Sequence, residues 1–117
     1  MTGTTPRDET FSVIDGHLVR TVAFPDGRRY LHRCAKAAYE TVAYAIEETP
    51  AEGKGTSLQA IARQEDLPFT QANVALEFLK ERGIVEVRHR RCYPASSSVH
   101  LDAMVEFHAL AEEPKPA

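Results

Sequence analysis

Apolar and polar positions change their spacing several times along this chain, and each change marks an element. Phe11-Ser12-Val13-Ile14, the pair Asp15-Gly16 and the run from His17 to Phe24 predict a β-hairpin starting at Thr10, because Asp-Gly suits a two-residue type I′ turn. Pro25-Asp26-Gly27 is a second turn, and Arg28 to Leu31 returns as a short third strand, giving an N-terminal meander. From Leu31 the apolar spacing becomes helical: Leu31, Cys34, Ala35, Ala38, Tyr39, Val42 and Ile46 form one stripe of a helix running to about Thr49. Pro50 to Gly55 is the loop that leaves it.

The densest signals lie between residues 56 and 94. Thr56 with Gln59 reads as a capping box, and Leu58, Ile61 and Ala62 put one apolar face on a helix of about two turns. Pro68 disfavours helical geometry at Leu67 and suits the start of a new helix. Ala72, Ala75, Leu76 and Leu79 carry that second helix to Gly83, which supplies its C-terminal cap after Lys80 and Arg82. Ile84 to Val87 reads as a strand, Arg88 to Arg91 as a basic turn, and Cys92-Tyr93 as the returning strand before Pro94. Beyond a Ser96-Ser97-Ser98 linker, Leu101, Met104, Val105, Phe107, His108 and Leu110 predict a final helix ending near Glu113. The organisation expected is a loose tail over 1–9, one domain over 10–95, a C-terminal helix over 96–113 and a frayed end over 114–117.

The pattern Leu58-x-x-Ile61-Ala62, Leu67, Leu76-x-x-Leu79 and Arg82-Gly83-Ile84-Val85 resembles the winged helix-turn-helix superfamily of small prokaryotic transcription regulators, over about a third of the chain. The resemblance implies an α+β winged helix with an N-terminal meander and a C-terminal helix. It also implies duplex DNA as partner, with 68–82 as recognition helix in the major groove and 88–91 as a basic wing on the backbone. Fold alone does not establish activity, and the same fold serves as a protein-interaction module.

On that reading the outward positions of the recognition helix are Thr70, Gln71, Asn73, Val74 and Glu77. Gln71 and Asn73 can each bond an adenine edge, Thr70 can hold a phosphate, and Val74 can touch a thymine methyl. Lys80, Arg88, Arg90 and Arg91 supply phosphate contacts. Glu77 and the lack of an outward cation before Lys80 oppose this. Phe78, at the border of the buried stripe, is expected to pack on the meander or the last helix. In the alternative reading, an exposed Val74 and Phe78 contact a protein instead.

Composition narrows the remaining classes. The 117 residues, 43% hydrophobic and without Trp, make a small core that a homodimer partner would help to cover, the more so because the last helix is apolar on more than one face. Net charge is −3, yet Arg28, Arg29, Arg33 and Lys36 form one basic group and Arg82, Arg88, Arg90 and Arg91 another, so local potential can still attract phosphate. No run reaches the roughly 18 apolar residues of a membrane span, and Met1 to Pro6 lacks a signal-peptide core, so the protein is expected in the cytoplasm with no membrane role and with Cys34 and Cys92 as free thiols. His32 and Cys34 with His89 and Cys92 form a zinc-compatible set, but without Cys-x-x-Cys spacing no metal is expected. Five scattered histidines without a partnered nucleophile or a phosphate loop indicate neither an enzyme nor a bound cofactor.

Overall fold

The computed structural model describes residues 8–113. It is a mixed α+β arrangement of four helices and two small antiparallel sheets. The first sheet is a meander of β1 (Asp8–Ile14), β2 (His17–Ala23) and β3 (Arg29–Ala35), in that order. Asp15 and Gly16 both have positive φ, as a type I′ turn needs, and they set Ile14 opposite His17 and Phe11 opposite Arg20. Strand β1 begins at Asp8, so part of the expected tail is sheet; the remainder of that tail and residues 114–117 lie outside the described residues.

Strand β3 corrects the expected helix start. The apolar spacing predicts a helical stripe from Leu31, but residues 29–35 pair along β2 with Cys34 opposite Leu18, and α1 (Lys36–Glu47) starts only afterwards. Leu31 and Cys34 are three residues apart, a spacing that fits a helix face; in the strand they lie on opposite faces, with Cys34 buried and Leu31 exposed.

Helix α2 (Leu58–Gln64) is capped by Ser57, whose hydroxyl accepts the Ala60 N–H at 3.2 Å, and not by Thr56. Thr56 instead forms an isolated antiparallel β-bridge, exchanging backbone hydrogen bonds of 2.9 and 2.8 Å with Cys92. Asp66 closes α2 in the left-handed region. Helix α3 (Phe69–Glu81) ends on Gly83 in a Schellman motif, with the Ile84 N–H donating to the Leu79 carbonyl and the Gly83 N–H to that of Lys80. The second sheet, β4 (Val85–Arg88) with β5 (Arg91–Pro94), follows as a hairpin.

Helix α4 (Val99–Glu112) folds back on α1 and β1. Val99, Ala103, Phe107 and Leu110 enter the core, and Glu47 of α1 accepts the His100 N–H at 3.1 Å, serving as a cap supplied from across the fold. The centre is a chain of rings. Phe11 of β1 lies 5.2 Å from Phe78 of α3, Phe78 lies 6.0 Å from Tyr39 of α1, and Tyr39 lies 5.3 Å from Phe107 of α4. The Tyr39 hydroxyl donates to the Ala103 carbonyl at 2.6 Å, so its burial leaves no polar group unpaired. Among the described residues, no helix is long and apolar enough to cross a membrane.

Two glycines separate backbone strain from steric clash. Both Gly55 and Gly83 have positive φ, but a Cβ on Gly83 meets nothing within 4 Å, whereas one on Gly55 would sit 2.8 Å from the Tyr93 ring and 2.9 Å from the Cys92 carbonyl. Gly83→Ala is therefore expected to cost about 1 kcal/mol in urea unfolding, and Gly55→Ala about 2–4 kcal/mol. Equal losses would mean that the loop before Thr56 does not pack against the hairpin.

Candidate nucleic-acid interface

Helix α3 is covered over more than half of its circumference. Ala72, Ala75, Leu76 and Leu79 are buried as the apolar spacing predicts, and Val74 and Phe78 are fully buried as well. The second pair meets the meander side: α3 packs along β3, and Phe78 reaches Phe11. Val74 thus cannot touch a thymine methyl, and neither Val74 nor Phe78 is available to a protein partner. The outward arc that remains carries Phe69, Thr70 and Glu81, which are exposed, and Asn73, Glu77 and Lys80, which are partly exposed. Gln71 is only partly exposed, and its side-chain carbonyl accepts the Ala35 N–H at 3.0 Å. It therefore joins α3 to the end of β3. Lys80 pairs with Glu77 at 3.0 Å, a half-exposed i,i+3 contact worth a few tenths of a kcal/mol.

The hairpin arginines divide into two kinds. Arg88 donates to the Ala51 carbonyl at 2.7 Å, pairs with Glu86 at 2.7 Å, and lies 3.8 Å above the Tyr93 ring. Arg91 donates to the carbonyls of Lys54 at 2.9 Å and Gly55 at 3.3 Å, and the Tyr93 hydroxyl donates to Gly53 at 2.9 Å. These groups hold the loop between α1 and α2 against the hairpin. Arg90 does not take part. It sits with His89 at the two-residue tip, both at positive φ, and it is exposed with no ion-pair partner among the described residues. Lys54 is exposed too, and Arg91 pins its backbone to the hairpin. No local pattern marks Lys54, because only the fold brings this loop residue to the hairpin.

The hairpin and the outward arc of α3 are neighbours. Burial raises the ionisation range of the Cys92 thiol, and the nearby charges acting on it are Lys80 and Glu77 of α3 and Arg91 of β5. The Cys34 thiol is more deeply placed, and burial pushes it up to about 12. Both cysteines are free and buried, and among the described residues no three His, Cys, Asp or Glu side chains converge on a point that could hold a metal ion. Searches for related proteins found no matching family model, no matching curated protein and no matching solved structure.

The tip geometry gives opposite expectations for neighbouring arginines. His89 and Arg90 occupy backbone positions that favour Asn and Gly, so the double change His89→Asn with Arg90→Gly should raise stability by about 1 kcal/mol. Arg91→Ala should lower it by about 1 kcal/mol through loss of two charge-assisted hydrogen bonds at an exposed site. Urea midpoints at constant slope measure both.

Cys34 adds a pH dependence. Its thiol ionises near 9 when unfolded and near 12 when folded, so its contribution is intact below pH 9 and is lost as pH climbs from 9 towards 12. Cys34→Ala should flatten that alkaline loss of stability.

Proposed function

We propose that this chain is a winged-helix protein that binds duplex DNA through the outward arc of α3 and the tip of the β4–β5 hairpin, as a homodimeric cytoplasmic transcription regulator. The observation that carries this reading is an order of elements with a matching pairing. A supporting helix α1, an isolated β-bridge from Thr56 to Cys92, a helix pair α2–α3 and a two-stranded hairpin follow in turn, and the outward arc of α3 lies beside that hairpin.

The residues assigned to contact differ from a plain surface reading of the sequence. Arg90, Lys54 and Lys80 neutralise phosphates; Lys80 exchanges its weak pair with Glu77 for a phosphate oxygen. Thr70 bonds the backbone near the start of α3, and Asn73 is the one amide left on the arc to read a base edge. Arg88 and Arg91 act indirectly, by fixing the loop that carries Lys54. Gln71 positions α3 against β3.

So small a cation set predicts modest affinity with a shallow salt dependence. Replacing Lys54, Lys80 and Arg90 together by Ala should weaken binding to every duplex and reduce the slope of log K against log salt by up to about three units. Asn73→Ala should cost about 1–3 kcal/mol on a site selected from random duplexes and far less on random DNA. Gel-shift titrations at several salt concentrations check both. Absence of salt-dependent binding by the intact chain would end the DNA reading.

The dimer is carried by α4. Its inner face is used within the subunit, yet Leu101 is 63% exposed and Val105 56% exposed, four residues apart on the opposite side. Leu101→Lys with Val105→Lys should turn a dimer into a folded monomer in sedimentation velocity; a monomeric intact chain at micromolar concentration would remove the dimer.

A further inference from the structure

We infer that the outer edge of β3 is a docking site for an extended acidic peptide, which adds as a fourth strand to the meander. This does not rest on the DNA reading. Strand β3 is an edge of its sheet, and all five residues from Arg29 to Arg33 are exposed. The direction of its backbone groups follows from the ladder. The Ala35 N–H goes to the Gln71 side chain and not to β2, so Ala35 points away from β2. Strand residues alternate, so the N–H and C=O groups of Arg29, Leu31 and Arg33 point the same way. Among the described residues they have no hydrogen-bond partner. Gln71 already does at one position what an added strand would do along the others.

The side chains specify the occupant. Arg29, Leu31 and Arg33 share one face of β3, and neither arginine has an ion-pair partner among the described residues, whereas Arg28 is tied to Asp26 at 2.7 Å. Leu31 is 52% exposed, and Tyr30, also half exposed, flanks it on the other face. An added strand with the pattern acidic-x-apolar-x-acidic sets a carboxylate opposite each arginine and an apolar side chain opposite Leu31. A second copy fits poorly. In the fullest antiparallel register of β3 with itself, centred on Leu31, Arg29 faces Arg33 of the other copy twice, and like charges directly opposite are destabilising. Such arginines discourage self-pairing at an open edge and select a carboxylate-bearing strand.

The probe is a fluorescein-labelled peptide of about seven residues containing Glu-Thr-Val-Thr-Glu, added to the full chain and followed by anisotropy. Three comparisons define the result. N-methylation of the central Val amide should abolish binding, because that amide pairs with Leu31. Moving the two glutamates to the threonine positions should weaken it about fivefold or more, and so should Arg29→Glu with Arg33→Glu. Leu31→Pro removes only an outward-pointing N–H on an edge strand, so the protein should keep its far-ultraviolet circular dichroism and its urea midpoint while losing the peptide. The proposal is overturned if the peptide does not bind, if binding survives N-methylation, if Leu31→Pro instead abolishes self-association, or if the arginine reversal weakens a labelled DNA duplex and leaves the peptide unaffected.

Discussion

Phe78 is the residue on which the rest of the arrangement turns. A phenylalanine ring removed from water is worth about 2–3 kcal/mol by transfer alone, and this one is fully buried between Phe11 and Tyr39. Through Tyr39 the contact continues to Phe107, so one side chain of α3 links the meander, the first helix and the last. Leu18 of β2, also fully buried, joins the meander to the same core. α4 has anchors of its own, in the Tyr39 hydroxyl bonded to Ala103 and in the Glu47 cap at its start. The parts outside the helix pair and hairpin are therefore not appendages: they complete the core that α3 needs.

That requirement limits what α3 can present to a partner. A helix packed from one side leaves a broad outer face, whereas a helix packed from two sides leaves a ridge. Here the ridge holds Phe69, Thr70, Asn73, Glu77, Lys80 and Glu81, with little positive charge of its own. The proposed DNA contact consequently leans on cations beside the helix, and their position depends on the loop that Arg88, Arg91 and Tyr93 hold in place. Loop carbonyls that would otherwise look to water for partners are satisfied by the hairpin. Gly55 is the point where the two backbones come too close for any side chain.

Much of the fold was legible because its determinants are local. Asp15-Gly16 specifies a turn by its own backbone preference, Pro68 separates two helices, and Gly83 ends the second with hydrogen bonds reaching only three and five residues back. A large apolar residue at the edge of a buried stripe needs cover, which for Phe78 points to the meander or the last helix, and its ring lies against Phe11 of the meander. The boundary between β3 and α1 was not legible. Leu31 and Cys34 fit a helical spacing, and nothing nearby in sequence reveals that β2 offers this segment a ladder.

Turns, caps and breaks set the ends of elements from local residues alone, because those preferences act over a few positions. Tertiary structure alone decided which outward-looking side chains are free. Val74 reads as exposed until the meander covers a second side of α3, and Arg88 and Arg91 read as free cations until carbonyls some 37 residues earlier accept from them. Burial and hydrogen-bond satisfaction are properties of a position in space, and chain neighbours do not encode them.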